Sequence, residues 1–99
     1  MLYAIIARDV PNSIARRPTT RPRHMQYLQG LIEQGRVVFA GPHPALDSPD
    51  PGPAGFTGSL IIAEFDSLED AKAWSDHDPY NLEGVFEEVV VKPVLQVYP

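Results

Sequence analysis

Apolar and polar positions alternate along this chain with two different periods. Residues 2–8 are apolar on both alternating faces, Leu2, Ala4 and Ile6 on one and Tyr3, Ile5 and Ala7 on the other. A strand of that kind belongs in the interior of a sheet. After an irregular stretch punctuated by Pro11 and Pro18, with room for a short helical turn after Ser13, the period changes. Met25, Leu28, Leu31 and Ile32 recur at helical spacing. Thr19 or Thr20 is the expected cap of this first helix, with Pro22 in its first turn and Gly35 as its stop. Strand pattern returns at 36–41 and at about 57–65. A second helix is expected to open at Ser67, with acidic residues in its first turn and a stripe of Leu68, Ala71 and Trp74. Asp78-Pro79 should end it, because the residue before proline avoids the helical region. A last strand is expected from Val85 to about Val97, placed at a sheet edge by Pro93.

The element order is β-α-β-β-α-β. Right-handed crossovers turn it into a ferredoxin-like α+β sandwich, a four-stranded antiparallel sheet of order 4-1-3-2 with both helices on one face. The 99 residues make a single domain, 1–99. The second sheet face has no helix of this chain to cover it, and the last strand is apolar on both sides. Val85, Val89, Val91, Leu95 and Val97 are assigned to one side and Phe86, Val90, Val94 and Tyr98 to the other. A bare apolar face of this kind predicts a homodimer through the sheet.

Between the second and third strands lies Gly41–Ser59, which holds five of the eleven prolines and four of the seven glycines. A hairpin needs only two linking residues. Loops beyond about a dozen residues are uncommon and often functional, so this one is expected to form a stiff rim around a pocket. A loop without function is the alternative.

Composition narrows the partners. A net charge of −5 disfavours nucleic acid. The cluster Arg16, Arg17, Arg21 and Arg23 is a local exception, either a solvated face or an attractor for a small anion. With no cysteine there is no disulfide, thiolate nucleophile or thiolate metal site. No apolar run matches a membrane span, and the N-terminal stretch reads as a strand rather than a signal peptide. A cytoplasmic location is the default expectation.

The topology brings the start of the first helix, the 41–59 segment and the 76–80 turn to one end of the sandwich. That end collects His24, His43, His77, Asp47, Asp50, Asp76, Asp78, Ser59, Arg21 and Arg23. His24 lies one turn before Leu28, on the flank of the buried stripe, and imidazole exchanges protons near neutral pH. Asp78, fixed by Pro79, is the candidate partner that sets its tautomer. A merely capping or packing histidine is the competing reading. Ser59 is a candidate hydrogen-bond donor to a substrate, Arg21 or Arg23 a holder for its anionic group, and Phe56 and Tyr80 candidate walls. Asp47 and Asp50 read as turn formers. No pair of histidines has metal-ligand spacing on one element, so neither metal nor cofactor is expected. The loop glycines do not match a phosphate loop.

Several collinear motifs resemble one family: Arg21-Pro22-x-His24, Gly41-Pro42-x-Pro44-Ala45-x-Asp47, Gly55-Phe56-x-Gly58-Ser59, Ala63-Glu64-Phe65, Asp78-Pro79-Tyr80 and Val91-Lys92-Pro93. Together they resemble the YCII-related (YciI-like) proteins over nearly the whole chain. The resemblance implies a ferredoxin-like dimer similar in fold to muconolactone isomerases. It also implies a cleft centred on a histidine and an aspartate, here His24 and Asp78, whereas His43 and His77 fall outside the pattern. One relative is a dehydrochlorinase acting on a chlorinated hydroxyhydroquinone. The expected activity is therefore general acid/base chemistry, an isomerisation or an elimination, on a small polar aromatic or lactone-like compound. A non-catalytic ligand-binding or accessory dimer is the alternative.

Overall fold

Two helices lie against one face of a four-stranded antiparallel sheet in the computed structural model, which describes residues 1–99. The strands are β1 (Leu2–Asp9), β2 (Val37–Pro44), β3 (Phe56–Glu64) and β4 (Phe86–Val94). The helices are α1 (Arg17–Glu33), α2 (Leu68–Asp76) and the single turn α3 (Pro79–Leu82), with short 3-10 turns at Ser13–Ala15 and Gly52–Ala54. The sheet order β2-β3-β1-β4 is the expected one, with β1 interior and β4 at an edge.

The helix-facing side of β1 is Tyr3, Ile5 and Ala7. Tyr3 and Ile5 pack with Leu28 and Leu31 of α1, Ile61 and Ala63 of β3, Phe65 and Ala71. Removing a side chain such as Leu28 from such a cluster costs about 2–5 kcal/mol. A smaller cluster, Ala7, Tyr80, Val85 and Phe86, closes the end of the sandwich where β1 finishes. Ser67 caps α2 as expected, its Oγ accepting the Asp70 amide at 3.1 Å. Gly35, at φ 68°, ends α1.

The structure corrects four sequence expectations. First, α1 begins at Arg17 rather than after Thr20. Pro18 sits in its first turn, where no amide donor is needed, and Pro22 lies inside the helix. The earlier start aligns Arg17, Arg21, His24 and Leu28 along one helical face. Second, β2 and β3 extend through the proline-rich stretch to Pro44 and Phe56, so the connection proper is only residues 45–55. Third, β4 stops at Val94, and Leu95, Val97 and Tyr98 lie exposed beyond it.

Fourth, β4 carries a bulge. Arg8 pairs with Glu88 but Asp9 pairs with Phe86, leaving Glu87 as an extra residue. Phe86 therefore shares the helix-facing side with Val89 instead of opposing it. The two glutamates at the bulge both reach Arg8, at 2.6 and 3.7 Å. A similar slip in β2 turns both Val38 and Phe39 outward.

The other sheet face is uncovered. Ile6, Val38, Phe39 and Val90 are exposed on it. Beside them a hollow of about 400 Å³ runs between the sheet and the tail Leu95–Pro99.

Candidate active site

β2 lies at the sheet edge beyond the cover of α1, and this leaves a cleft of about 280 Å³ between α1 and the β2–β3 hairpin. Its α1 wall is Arg17, Arg21, His24, Met25, Leu28 and Ile32. Gly41, Pro42, Ser59 and Ile61 face them, and Tyr80 lies at the α3 side. Met25 and Ile32, expected in the buried stripe, are in fact exposed at this opening. The volume suits only a small ligand. The rim is built from strand residues Gly41, Pro42 and Ser59. The tip of the 45–55 connection lies elsewhere: Pro53 and Ala54 line a separate hollow with Val10 and Ile14.

His24 is 7% exposed and Asp78 2%. His24 Nδ1 lies 2.8 Å from Asp78 Oδ1. Asp78 is held by its own position as the N-cap of α3, where the same Oδ1 accepts the Tyr80 amide at 2.9 Å. An oxygen that accepts from Tyr80 also accepts from His24, which assigns the imidazole proton to Nδ1 by hydrogen-bond accounting. In the neutral ring of that tautomer Nε2 carries the lone pair. It has no partner in the protein, and no partnerless side-chain nitrogen or oxygen in this chain is sealed from solvent. His24 is one of the residues that line the cleft.

The imidazole lies flat on the Tyr80 ring, with centroids 4.0 Å apart and planes at 15°. Tyr80 in turn takes the edge of Phe86 at 5.6 Å, and the Arg17 guanidinium lies 4.9 Å from its centroid. Arg17 is the residue expected only as part of a surface cluster, either solvated or attracting a small anion. It is buried and bound to Asp9 through Nε (2.5 Å) and Nη2 (3.1 Å), and it reaches the Gly58 carbonyl at 3.0 Å. Ser13 completes this set with a 2.6 Å bond to Asp9. The available signal was the 17-21-24-28 spacing, hidden by the late helix start.

The other candidates separate clearly. Arg21 lines the cleft and takes no part in the ion pairs of the chain. Arg23 points away, 3.3 Å from Glu83. Ser59 lines the cleft from β3, 7% exposed. Phe56 is not in the cleft; it sits 5.8 Å beneath the Arg17 guanidinium. His43 is exposed on β2, and His77 Nδ1 binds the Ala73 carbonyl at the end of α2. No group of three or more His, Asp or Glu residues is placed to hold a metal ion. The cleft lining includes two arginines and no carboxylate, although the chain as a whole is acidic.

Two phenols feel this environment. Burial raises the pKa of Tyr80 above 10.0, Arg17 and Arg21 pull it back, and Asp78 adds to the rise. Tyr27 is raised above 10.0 by burial and then by Asp78.

Fold and site together define a ferredoxin-like α+β domain with an open histidine–aspartate cleft. The profile of the YCII-related domain matches residues 1–95, and the chain belongs to that family. It is 55% identical to protein YciI of Escherichia coli O6:H1 over 98 residues, covering 99% of this chain and all of that one. It is 44% identical to an uncharacterized protein of Haemophilus influenzae, with the same coverage. Fusaric acid biosynthesis protein 2 of Gibberella fujikuroi is 29% identical over 86% of this chain and 82% of its own. Among solved structures, the 5-chloro-2-hydroxyhydroquinone dehydrochlorinase of Burkholderia phenoliruptrix, in complex with 2,5-dihydroxybenzoquinone, superposes with a TM-score of 0.85. The identity is 25%, over 96% of this chain and 94% of that one.

Proposed function

We propose that this protein is a small cofactor-free enzyme in which His24 is the general acid/base and Asp78 its orienting partner. The substrate is a small polar aromatic or lactone-like compound, and the reaction is an isomerisation or an elimination that begins with removal of a proton beside a carbonyl. The observation that supports this reading is the buried His24–Asp78 hydrogen bond beside a cleft that His24 lines, with Nε2 bonded to no protein group. Arg21 holds an anionic part of the substrate, and Ser59 donates a hydrogen bond. The likeness to a dehydrochlorinase with a bound dihydroxybenzoquinone supports the same class of chemistry.

The test is a thermal-shift screen of aromatic and lactone compounds followed by product detection on the hits. His24→Asn should lower turnover of a hit by about 10²–10⁴-fold while the fold is retained. Binding without turnover of any hit would make the protein a ligand-binding module instead.

We also place the protein in the cytoplasm, as its lack of cysteine suits a reducing compartment; no helix is long and apolar enough to cross a membrane. The working unit in this reading is a homodimer through the bare sheet face, which supplies the cover that Ile6, Phe39 and Val90 lack. Analytical ultracentrifugation should give a dimer at micromolar concentration and a monomer for Ile6→Asp. A monomeric wild type would remove this part of the proposal.

A further inference from the structure

Removing a proton beside a carbonyl leaves an enolate, and its oxygen needs a donor already in place. Tyr80 is placed to supply one. It lines the cleft, and its ring is stacked parallel on His24 at 4.0 Å, so the two polar groups keep a fixed relation. Its backbone amide and the His24 imidazole share one oxygen of Asp78. The Phe86 edge and the Arg17 guanidinium hold the ring from other directions. Only 2% of Tyr80 is exposed, yet its hydroxyl hands its proton to no protein acceptor. The nearby arginines cannot take that proton, because guanidinium has donors only. Arg17 approaches the hydroxyl as a donor, which leaves the phenol proton for an acceptor in the cleft that Tyr80 lines.

We infer that the Tyr80 hydroxyl is the hydrogen-bond donor to the substrate oxygen that becomes negative when His24 removes a proton, with the Arg21 charge nearby. This deepens the acid/base reading and rests on it; the substrate class is an enolisable carbonyl compound. In the step, the C–H bond beside the carbonyl breaks and its proton goes to Nε2. Its electron pair forms a C=C bond, and the carbonyl π pair moves to oxygen, which accepts the Tyr80 O–H hydrogen bond. Where a C=C bond lies next to that carbon the enolate is conjugated: the oxygen pair re-forms C=O, the C=C pairs shift outward, and the far carbon takes the proton from Nε2, giving the conjugated isomer. Tyr80 keeps its proton throughout, consistent with a phenol whose pKa is raised.

The experiment uses 4-nitrophenol, whose phenolate mimics an enolate oxygen and reports its own ionisation by colour. Absorbance titrations of the full chain compare wild type with Tyr80→Phe, which keeps the ring, the stack and the backbone contact to Asp78. Wild type should bind the phenolate in preference to 4-nitroanisole, which has no ionisable oxygen. Tyr80→Phe should bind the phenolate about tenfold more weakly and 4-nitroanisole equally well. Equal phenolate binding by Tyr80→Phe, or no wild-type preference for phenolate over 4-nitroanisole, overturns the inference. The measurement involves no turnover. If His24→Asn keeps turnover while Tyr80→Phe weakens phenolate binding, the acid/base reading fails and the donor role of Tyr80 stands.

Discussion

One oxygen of Asp78 accepts from both the His24 imidazole at 2.8 Å and the Tyr80 amide at 2.9 Å. The first contact spans 54 positions of sequence, the second only two. A local cap at the start of α3 is thereby joined to the orientation of a side chain on α1. Stability and chemistry are coupled at this carboxylate, and substitutions there should change both.

Asp78→Ala removes the cap of α3 and leaves His24 Nδ1 buried without a partner. Losing a cap costs about 1 kcal/mol, and an unsatisfied buried group about 1–3. Urea denaturation should show a loss of about 2–4 kcal/mol, with Asp78→Asn intermediate because its side-chain oxygen still caps. A loss under about 0.5 kcal/mol for Asp78→Ala would mean that the shared oxygen is dispensable.

Arg17 and Asp9 form the other buried polar unit, both below 10% exposure. Breaking such a pair from one side strands a charge and costs about 3–5 kcal/mol. Arg17→Met should therefore destabilise strongly, while the double variant Arg17→Met, Asp9→Leu should recover much of the loss. A double-mutant cycle in urea measures this. Additive losses would show that the two do not act as a pair.

Much of this architecture was readable in the residues, and the reasons for the misses are physical. The two-sided apolar pattern of residues 2–8 pointed to an interior strand, and β1 is interior, although its second face, with Ile6, is exposed in this chain alone. Ser67 and Asp78-Pro79 marked helix limits through local bonding that needs no tertiary context. Arg17 was missed because Pro18 resembles a breaker until one knows that it occupies a first turn. Phe86 was put on the wrong face because a bulge inserts one residue into a two-residue period, and only pairing with β1 reveals it. Met25 and Ile32 were read as buried because helical spacing records a stripe, and only the position of β2 decides where cover ends.

Gly58 pairs with Arg8, and any side chain there would collide with the Ala7 carbonyl oxygen. Its own carbonyl accepts from Arg17. Gly58→Ala should force β3 away from β1 and loosen Arg17 as well, costing more than about 2 kcal/mol. The thermal midpoint checks this; an unchanged value would mean that β1 and β3 can part at this point without cost.

The raised phenols give a pH dependence with a definite sign. Tyr27 and Tyr80 both hold their protons more tightly folded than unfolded. Their contribution is complete below the ordinary value of 10.0 and is lost as pH rises through the folded values, because the unfolded chain ionises first. Urea midpoints should fall as the pH rises above about 10, and less steeply in Tyr27→Phe. A flat profile would show that neither phenol feels its burial.

The account turns on which nitrogen of His24 carries the proton. Long-range ¹H–¹⁵N NMR of the neutral imidazole reads this directly, without any substrate. The prediction is a proton on Nδ1, facing Asp78, and an unprotonated Nε2 whose shift responds to ligands in the cleft. A proton on Nε2, with Nδ1 bare, would contradict the account.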